Sequence, residues 1–215
     1  MKTNFLKNKF EQKTKRVDLK TEIEVPSGMT LKKEKNQIFL KKGEIELSRE
    51  LNPLIHITIE DNKFIIESKK ETKKNKKIFG SFEAHIKNMI RGLDKGFLYR
   101  LQVANVHFPM TVSYDKSKHE IVVKNFLGEK TDRRISLVQG VEVKIEKDII
   151  ELRSENKEIA GQSAANIEKG TKVINKDRRI YQDGIYIIEK PGREILQWKD
   201  ITPNSWEQIH TNIQD

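Results

Sequence analysis

The chain has 215 residues, a mass of 25.2 kDa and a formal net charge of +10. It contains no cysteine, which excludes disulfides, zinc ribbons, iron–sulfur clusters and cysteine nucleophiles together and fits a reducing compartment. Charged residues make up 34% and hydrophobic ones 35%, so modest cores, a large solvated surface and an anionic partner are expected.

The chain opens on a basic segment. Residues 1–20 carry seven basic and two acidic side chains, and residues 67–77 (ESKKETKKNKK) carry six lysines against two glutamates. These two runs, at +5 and +4, hold nearly all of the net charge, and the remainder is close to neutral. Such a run is either a solvated, self-repelling segment or a releaser of counterions from phosphates. Met1–Lys20 has no apolar centre of the kind a secretory signal needs. No stretch approaches the roughly 20 apolar residues of a membrane span, and the expectation is a cytoplasmic protein.

Period-two alternation predicts strands at Thr21–Val25, Gln37–Lys41, Glu44–Leu47, Leu54–Glu60 and Lys63–Glu67, the pattern of antiparallel sheet with one buried face. The lysines from Lys69 to Lys77 are read as a loop or extended hairpin. Phe79, Phe82, Ile86, Ile90 and Leu93 then repeat at helical spacing, and Gly92 and Gly96 mark the helix end. The second half returns to the same order. Residues 119–125 read as a strand, Val141, Val143 and Ile145 alternate, and VKIEKDIIELRS (143–154) resembles ITIEDNKFIIES (57–68). A helix over Ile159–Gly170 follows, with a narrow face of Ala160, Ser163, Ala164 and Ile167, and a last strand covers Gly184–Glu189. The expected fold class is α+β: two tandem similar domains, 20–96 and 97–190, each an antiparallel sheet with one packed helix. Residues 1–19 form a basic N-terminal extension and 191–215 an acidic C-terminal one with Trp198 and Trp206.

The chemistry expected of an enzyme is missing from the sequence. His56, His85, His107, His119 and His210 show no metal-ligand spacing, and there is no GxSxG, P-loop or GxGxxG. No catalytic residue, metal or cofactor is expected. One stretch stands apart, KVINKDRRIYQDGIY (172–186), where Lys172, Lys176, Arg178 and Arg179 mix with Tyr181, Gln182 and Tyr186 around the turn Asp183-Gly184. Guanidinium forks grip phosphates, tyrosines stack on bases or riboses, and amides reach edges and sugar hydroxyls. The alternative is a plain surface loop whose tyrosines pack on the domain.

The run NKDRRIYQDGIYI (175–187) resembles the C-terminal signature of the large-subunit ribosomal protein L6 family, in its archaeal and eukaryotic branch. HFPMTV (107–112), NFLGEK with the following arginine pair (125–130, 133–134), GQSAANIE (161–168) and NMIRGLDKGFLYRL (88–101) are similar to other segments of that family, and GQSAANIE leans archaeal. The resemblance implies two similar α+β domains and a structural, non-catalytic role. It implies binding of large-subunit ribosomal RNA, chiefly by the second domain, near the sarcin–ricin loop and the base of the factor-recruiting stalk. It places RNA contacts at Lys130, Arg133, Arg134, Lys172, Lys176, Arg178, Arg179, Tyr181, Gln182 and Tyr186, and gives Asp183 and Gly184 a shaping role. Secondary contacts are expected at Lys69, Lys70, Lys73, Lys74, Lys76 and Lys77. Neighbouring ribosomal proteins are the other expected partners, with no membrane and no small-molecule substrate. In the C-terminal extension, Ser205 and Gln208 fit a capping box and Trp206, Ile209 and Ile213 share a helical face. That segment is either a docking helix or a frayed tail. The rival function is a non-ribosomal adaptor that binds RNA or protein.

Overall fold

The computed structural model describes residues 19–60, 63–68 and 72–194, and the chain divides into two compact units at Asp94/Lys95. The expectations placed on Lys69 and Lys70, on the basic start and on the Trp198–Trp206 segment fall outside the described residues.

In the first unit, β1 (Leu19–Glu24), β6 (Lys63–Ser68) and β5 (His56–Glu60) make one antiparallel sheet in the order β1-β6-β5. A second sheet has the order β2-β3-β4, from β2 (Thr30–Glu34), β3 (Gln37–Lys42) and β4 (Ile45–Glu50). The single sheet expected for each domain is thus divided in two. Ile23, Ile38, Leu40, Ile57, Phe64 and Ile66 turn inward, where they meet Phe79, Phe82, Ile86 and Leu93 of α1 (Lys73–Lys95). The strand β2 escapes the alternation test because TLKKE offers only Leu31 as an apolar residue.

The start of α1 corrects the loop expected at Lys69–Lys77. Lys73, Lys74, Lys76 and Lys77 lie in the first two turns of the helix. Lysine is a good helix former, and the Thr72 hydroxyl caps the helix by accepting the Asn75 N–H at 3.1 Å. At the other end Gly92 is buried within the helix, and Gly96 follows it with a φ of +70°, the left-handed turn that glycine supplies.

The second unit repeats the plan strand for strand. Here β7 (Phe97–Ala104), β12 (Ile149–Ser154) and β11 (Glu142–Glu146) take the places of β1, β6 and β5. Similarly β8 (Thr111–Asp115), β9 (Glu120–Lys124) and β10 (Arg133–Ser136) form the second sheet. The pairs Ile57↔Ile66 and Val143↔Leu152 lie 86 residues apart, and the same offset carries through the whole hairpin. Glu67 therefore corresponds to Arg153. The central strands β6 and β9 carry apolar triplets, Phe64-Ile65-Ile66 and Ile121-Val122-Val123, all buried, as strands covered on both faces require.

Two elements distinguish the second unit. Its helix α2 (Lys157–Gly170) is 14 residues long, is capped by the Asn156 side chain on the Glu158 N–H, and packs through fully buried Ala160, Ala164, Ser163 and Ile167. After it, β13 (Gly184–Lys190) adds to β7, and a short β14 (Arg193–Glu194) pairs back on β13, so the sheet runs on past residue 190 in the order β11-β12-β7-β13-β14. On β7, Arg100 bridges Glu151 at 2.8 Å and Glu189 at 2.7 Å, tying three adjacent strands on their outer face.

Truncating equivalent core positions should have equivalent cost. Ile66→Ala and Leu152→Ala, both fully buried, are each expected to destabilise their unit by about 2–5 kcal/mol. Urea unfolding of the full chain followed by circular dichroism measures both.

Candidate nucleic-acid interface

Three connections of the second unit gather around one another. They are the β7–β8 loop (105–110), the turn after β9 (125–132) and the loop between α2 and β13 (171–183). Phe108 stands over Gly128, whose φ of +77° is the left-handed conformation that glycine supplies, and the Asn125 amide donates to the Pro109 carbonyl at 2.9 Å. Asn125, Leu127 and Gly128 all have positive φ, so this short 3-10 turn is tightly wound.

The last loop carries most of the predicted contacts and is organised by its own polar groups. The Asp177 carboxylate accepts the Arg179 N–H at 2.9 Å, and its carbonyl accepts Ile180 and Tyr181 N–H groups. At the loop's start, the buried Thr171 hydroxyl donates to the Ile167 carbonyl and accepts the Ile185 N–H at 3.0 Å. At its end, the Asp183 side chain is only 2% exposed. It accepts the backbone N–H groups of Val106 and His107 at 2.9 and 3.0 Å, and its other oxygen lies 2.6 Å from Nδ1 of His107. Burial alone would raise the pKa of Asp183. Hydrogen bonds from the His107 backbone and ring, Phe108 and Val106 outweigh it and hold the carboxyl below its ordinary range.

Both tyrosines, Tyr181 in the loop and Tyr186 on β13, are engaged with their neighbours. Tyr181 has the Lys176 ammonium 4.6 Å from its ring centroid and the His107 ring at 5.1 Å. The Tyr186 ring lies against Gly184, where an added Cβ would come within 3.1 Å, and its hydroxyl donates to the Gln182 carbonyl. Burial pushes the Tyr186 phenol up. The Gln182 amide in turn donates to the Arg179 carbonyl. What remains open to a partner is the set of cations. Lys130, Lys172, Arg178 and Arg179 are exposed and form no ion pair among the described residues. Ile174 and Ile180, 67% and 61% exposed, stand among them. A recess of about 400 Å³ beside the end of α2 is lined by Lys169, Lys172, Arg178, Tyr186 and Glu168.

Two predicted residues behave differently. Arg134 is turned to the opposite face of β10, where it lies 4.0 Å from Glu120, and does not join the group. Arg133 is in the group but turned inward. Its Nε and Nη2 meet both oxygens of Glu129, its Nη1 reaches the Gly170 and Lys172 carbonyls, and its guanidinium covers the Phe126 ring at 3.9 Å. The pairing with Arg133 lowers the pKa of Glu129, and Lys176 adds to it. Sequence reasoning missed His107, Asp177 and Thr171 as organisers. Asp177, a residue type that accepts the backbone N–H two positions on, was the one legible signal. Among the described residues no three histidine or carboxylate side chains come together as a metal site, and no helix is long and apolar enough to cross a membrane.

Comparison with known proteins shows the family. The chain matches the family model for ribosomal protein L6 at residues 25–96 and again at 108–184, one segment in each unit. It is similar to the large ribosomal subunit protein uL6 of Methanococcus vannielii, with 40% identity over 176 residues, 81% of this chain and 96% of that one.

The buried carboxylate sets a pH dependence. Because the folded pKa of Asp183 lies below the unfolded value of about 3.9, its stabilisation is present above that value and is lost as pH falls through the folded pKa. Asp183→Asn should cost roughly 2–4 kcal/mol at pH 7 and progressively less as the pH falls through the folded pKa, which a series of urea titrations from pH 7 into acid would reveal.

Proposed function

The chain belongs to the ribosomal protein L6 family, a structural constituent of the large ribosomal subunit and not an enzyme, and from that premise we propose that it binds large-subunit ribosomal RNA through the loop 171–183 and the turn 125–132. The observation that carries this is the pairing of a fixed backbone with free cations. Lys172, Arg178 and Arg179 project from a loop whose own turns are closed by Asp177, Thr171 and Asp183, and Lys130 stands on the adjoining turn. Guanidinium and ammonium groups held in this way meet phosphates without first losing loop entropy. Lys176, Tyr181, Gln182 and Tyr186 hold that surface in shape through contacts with one another and with the loop backbone, and Arg134 serves a separate contact from the other face of β10.

The signature at 175–187 supports a position near the sarcin–ricin loop and the base of the factor-recruiting stalk. In the first unit Lys73, Lys74, Lys76 and Lys77 act as secondary contacts. They crowd a helix start that has no acidic residue in its first turn, and the positive end of the helix dipole reinforces their pull on a phosphate. Adjacent ribosomal proteins complete the surroundings. Family membership weighs against the non-ribosomal adaptor.

Replacing Arg178 and Arg179 together with Glu should weaken binding to a large-subunit RNA transcript by several kcal/mol, at about 1.5–3 kcal/mol for each charge-assisted hydrogen bond removed. It should also flatten the salt dependence by about one unit for each phosphate that is no longer neutralised. Filter binding across a salt series, and retention on the large subunit through a high-salt sucrose gradient, test this. Unchanged binding and retention would remove these two residues from the interface.

A further inference from the structure

We propose that Arg133 and Glu129 do not contact RNA but form a clamp that positions the cationic loop. The inference rests on the RNA-binding role assigned to that loop. An arginine next to another arginine, beside a basic turn, has the sequence of a phosphate ligand. The geometry assigns it otherwise. Four hydrogen bonds occupy its fork: two to the Glu129 carboxylate, at 2.8 and 2.5 Å, one to the Gly170 carbonyl at 3.0 Å and one to the Lys172 carbonyl at 3.3 Å. Its flat face is taken by Phe126, itself only 1% exposed. The side chain is 22% exposed, against 50% for Arg134.

Each partner belongs to a different part of the site. Glu129 and Phe126 lie on the tightly wound turn, Gly170 is the last residue of α2, and Lys172 opens the loop. A guanidinium at a helix C-terminus also answers the negative end of the helix dipole. The same helix end is pressed by the neighbouring β10 side chain, Ile135, whose Cγ1 would lie 2.7 Å from a Cβ at Gly170. From one side of β10, then, Arg133 fixes where the turn carrying Lys130 stands relative to the loop carrying Lys172, Lys176, Arg178 and Arg179. Only an arginine can do this, because a lysine supplies a point charge and no planar fork.

The clamp and the phosphate contact predict opposite signs for one substitution. Glu129→Gln removes a negative charge from a surface that faces RNA. If Arg133 were a phosphate ligand restrained by Glu129, that change would free it, tighten RNA binding and steepen the salt dependence. If the pair is a clamp, the change loosens the loop and weakens binding by about tenfold, the loss of roughly one charge-assisted hydrogen bond, with the salt dependence unchanged. Arg133→Lys keeps the charge and should produce the same loss. The readout that follows the loop itself is amide hydrogen exchange in the full chain. The amides of Ile180 and Tyr181, protected by Asp177, should exchange faster in both variants while those of β7 and β12 do not.

Tighter binding by Glu129→Gln, full binding by Arg133→Lys, or weakened binding with unchanged loop amides would each overturn the clamp. Should Arg133→Lys unfold the unit, Glu129→Gln, on a carboxylate 41% exposed, decides alone. The loop's RNA role is judged separately. If the Arg178/Arg179 double variant binds RNA as the unsubstituted chain does, that reading fails whatever the amides report.

Discussion

Four cations between Lys172 and Arg179 repel one another, and between them only Val173 is buried in the core. Such a segment stays ordered only if its ends are fixed by contacts stronger than that repulsion. Here the ends are fixed by buried polar groups. Thr171 joins the end of α2 to the start of β13, and the Asp183 carboxylate ties the close of the loop to the 106–108 backbone. Both groups are nearly out of water, where a satisfied hydrogen bond is strong and an unsatisfied one is costly. The rest of the interface depends on this constraint, since Asp177, Tyr181 and Gln182 only close turns within an already anchored span.

The duplication explains where the loop could arise. Both units share six strands and a helix in the same order and pairing. What the second unit adds is β13, laid antiparallel against β7. The segment between the helix and an added strand is under no obligation to the shared core, so it can be long and charged without disturbing it. The shorter α2, with alanines and a serine against the sheet, also brings its C-terminal carbonyls close enough for Arg133 to reach. A bulkier helix face would have stood farther off.

Much of this was legible in the sequence because the rules involved are local. Alternation located Ile57 and Ile59, helical spacing located Phe79, Phe82 and Ile86, and the internal match found the duplicated hairpin. The elements that escaped are those where local pattern and environment diverge. The strand β2 has one apolar residue and is held by its pairing to β3. The start of α1 reads as a charged loop because its stabilisation comes from a threonine cap and backbone bonds rather than from an apolar stripe. The same limit applies at the site. Residue type identified Arg178 and Arg179 as exposed cations, which they are. It could not distinguish them from Arg133, because a guanidinium that grips phosphate and one that grips a carboxylate and two carbonyls use the same donors. Glu129, four residues before Arg133, was the available hint, but outside a helix that spacing carries no geometric meaning. Tyr181 and Tyr186 read as stacking platforms for the same reason, and nothing in the sequence signals their contacts with Lys176, His107 and the Gln182 carbonyl.

The distribution of charge then has a physical logic. The two lysine-rich runs account for nearly all of the net +10 and would draw any polyanion, whatever its shape, by releasing counterions. They confer little discrimination, since ammonium groups on long aliphatic stems reach phosphates in many arrangements. The loop of the second unit does the reverse. It carries few charges, with the adjacent arginines Arg178 and Arg179 both exposed, and holds their backbone in one conformation. A rigid, sparse array gains less long-range attraction but distinguishes one phosphate geometry from another, because a mismatched RNA leaves forks unpaired. The RNA binding proposed for this chain needs both, attraction to find the polymer and shape to choose the place. This chain assigns the two tasks to different segments, which is why the strongest charge and the best-defined site do not coincide.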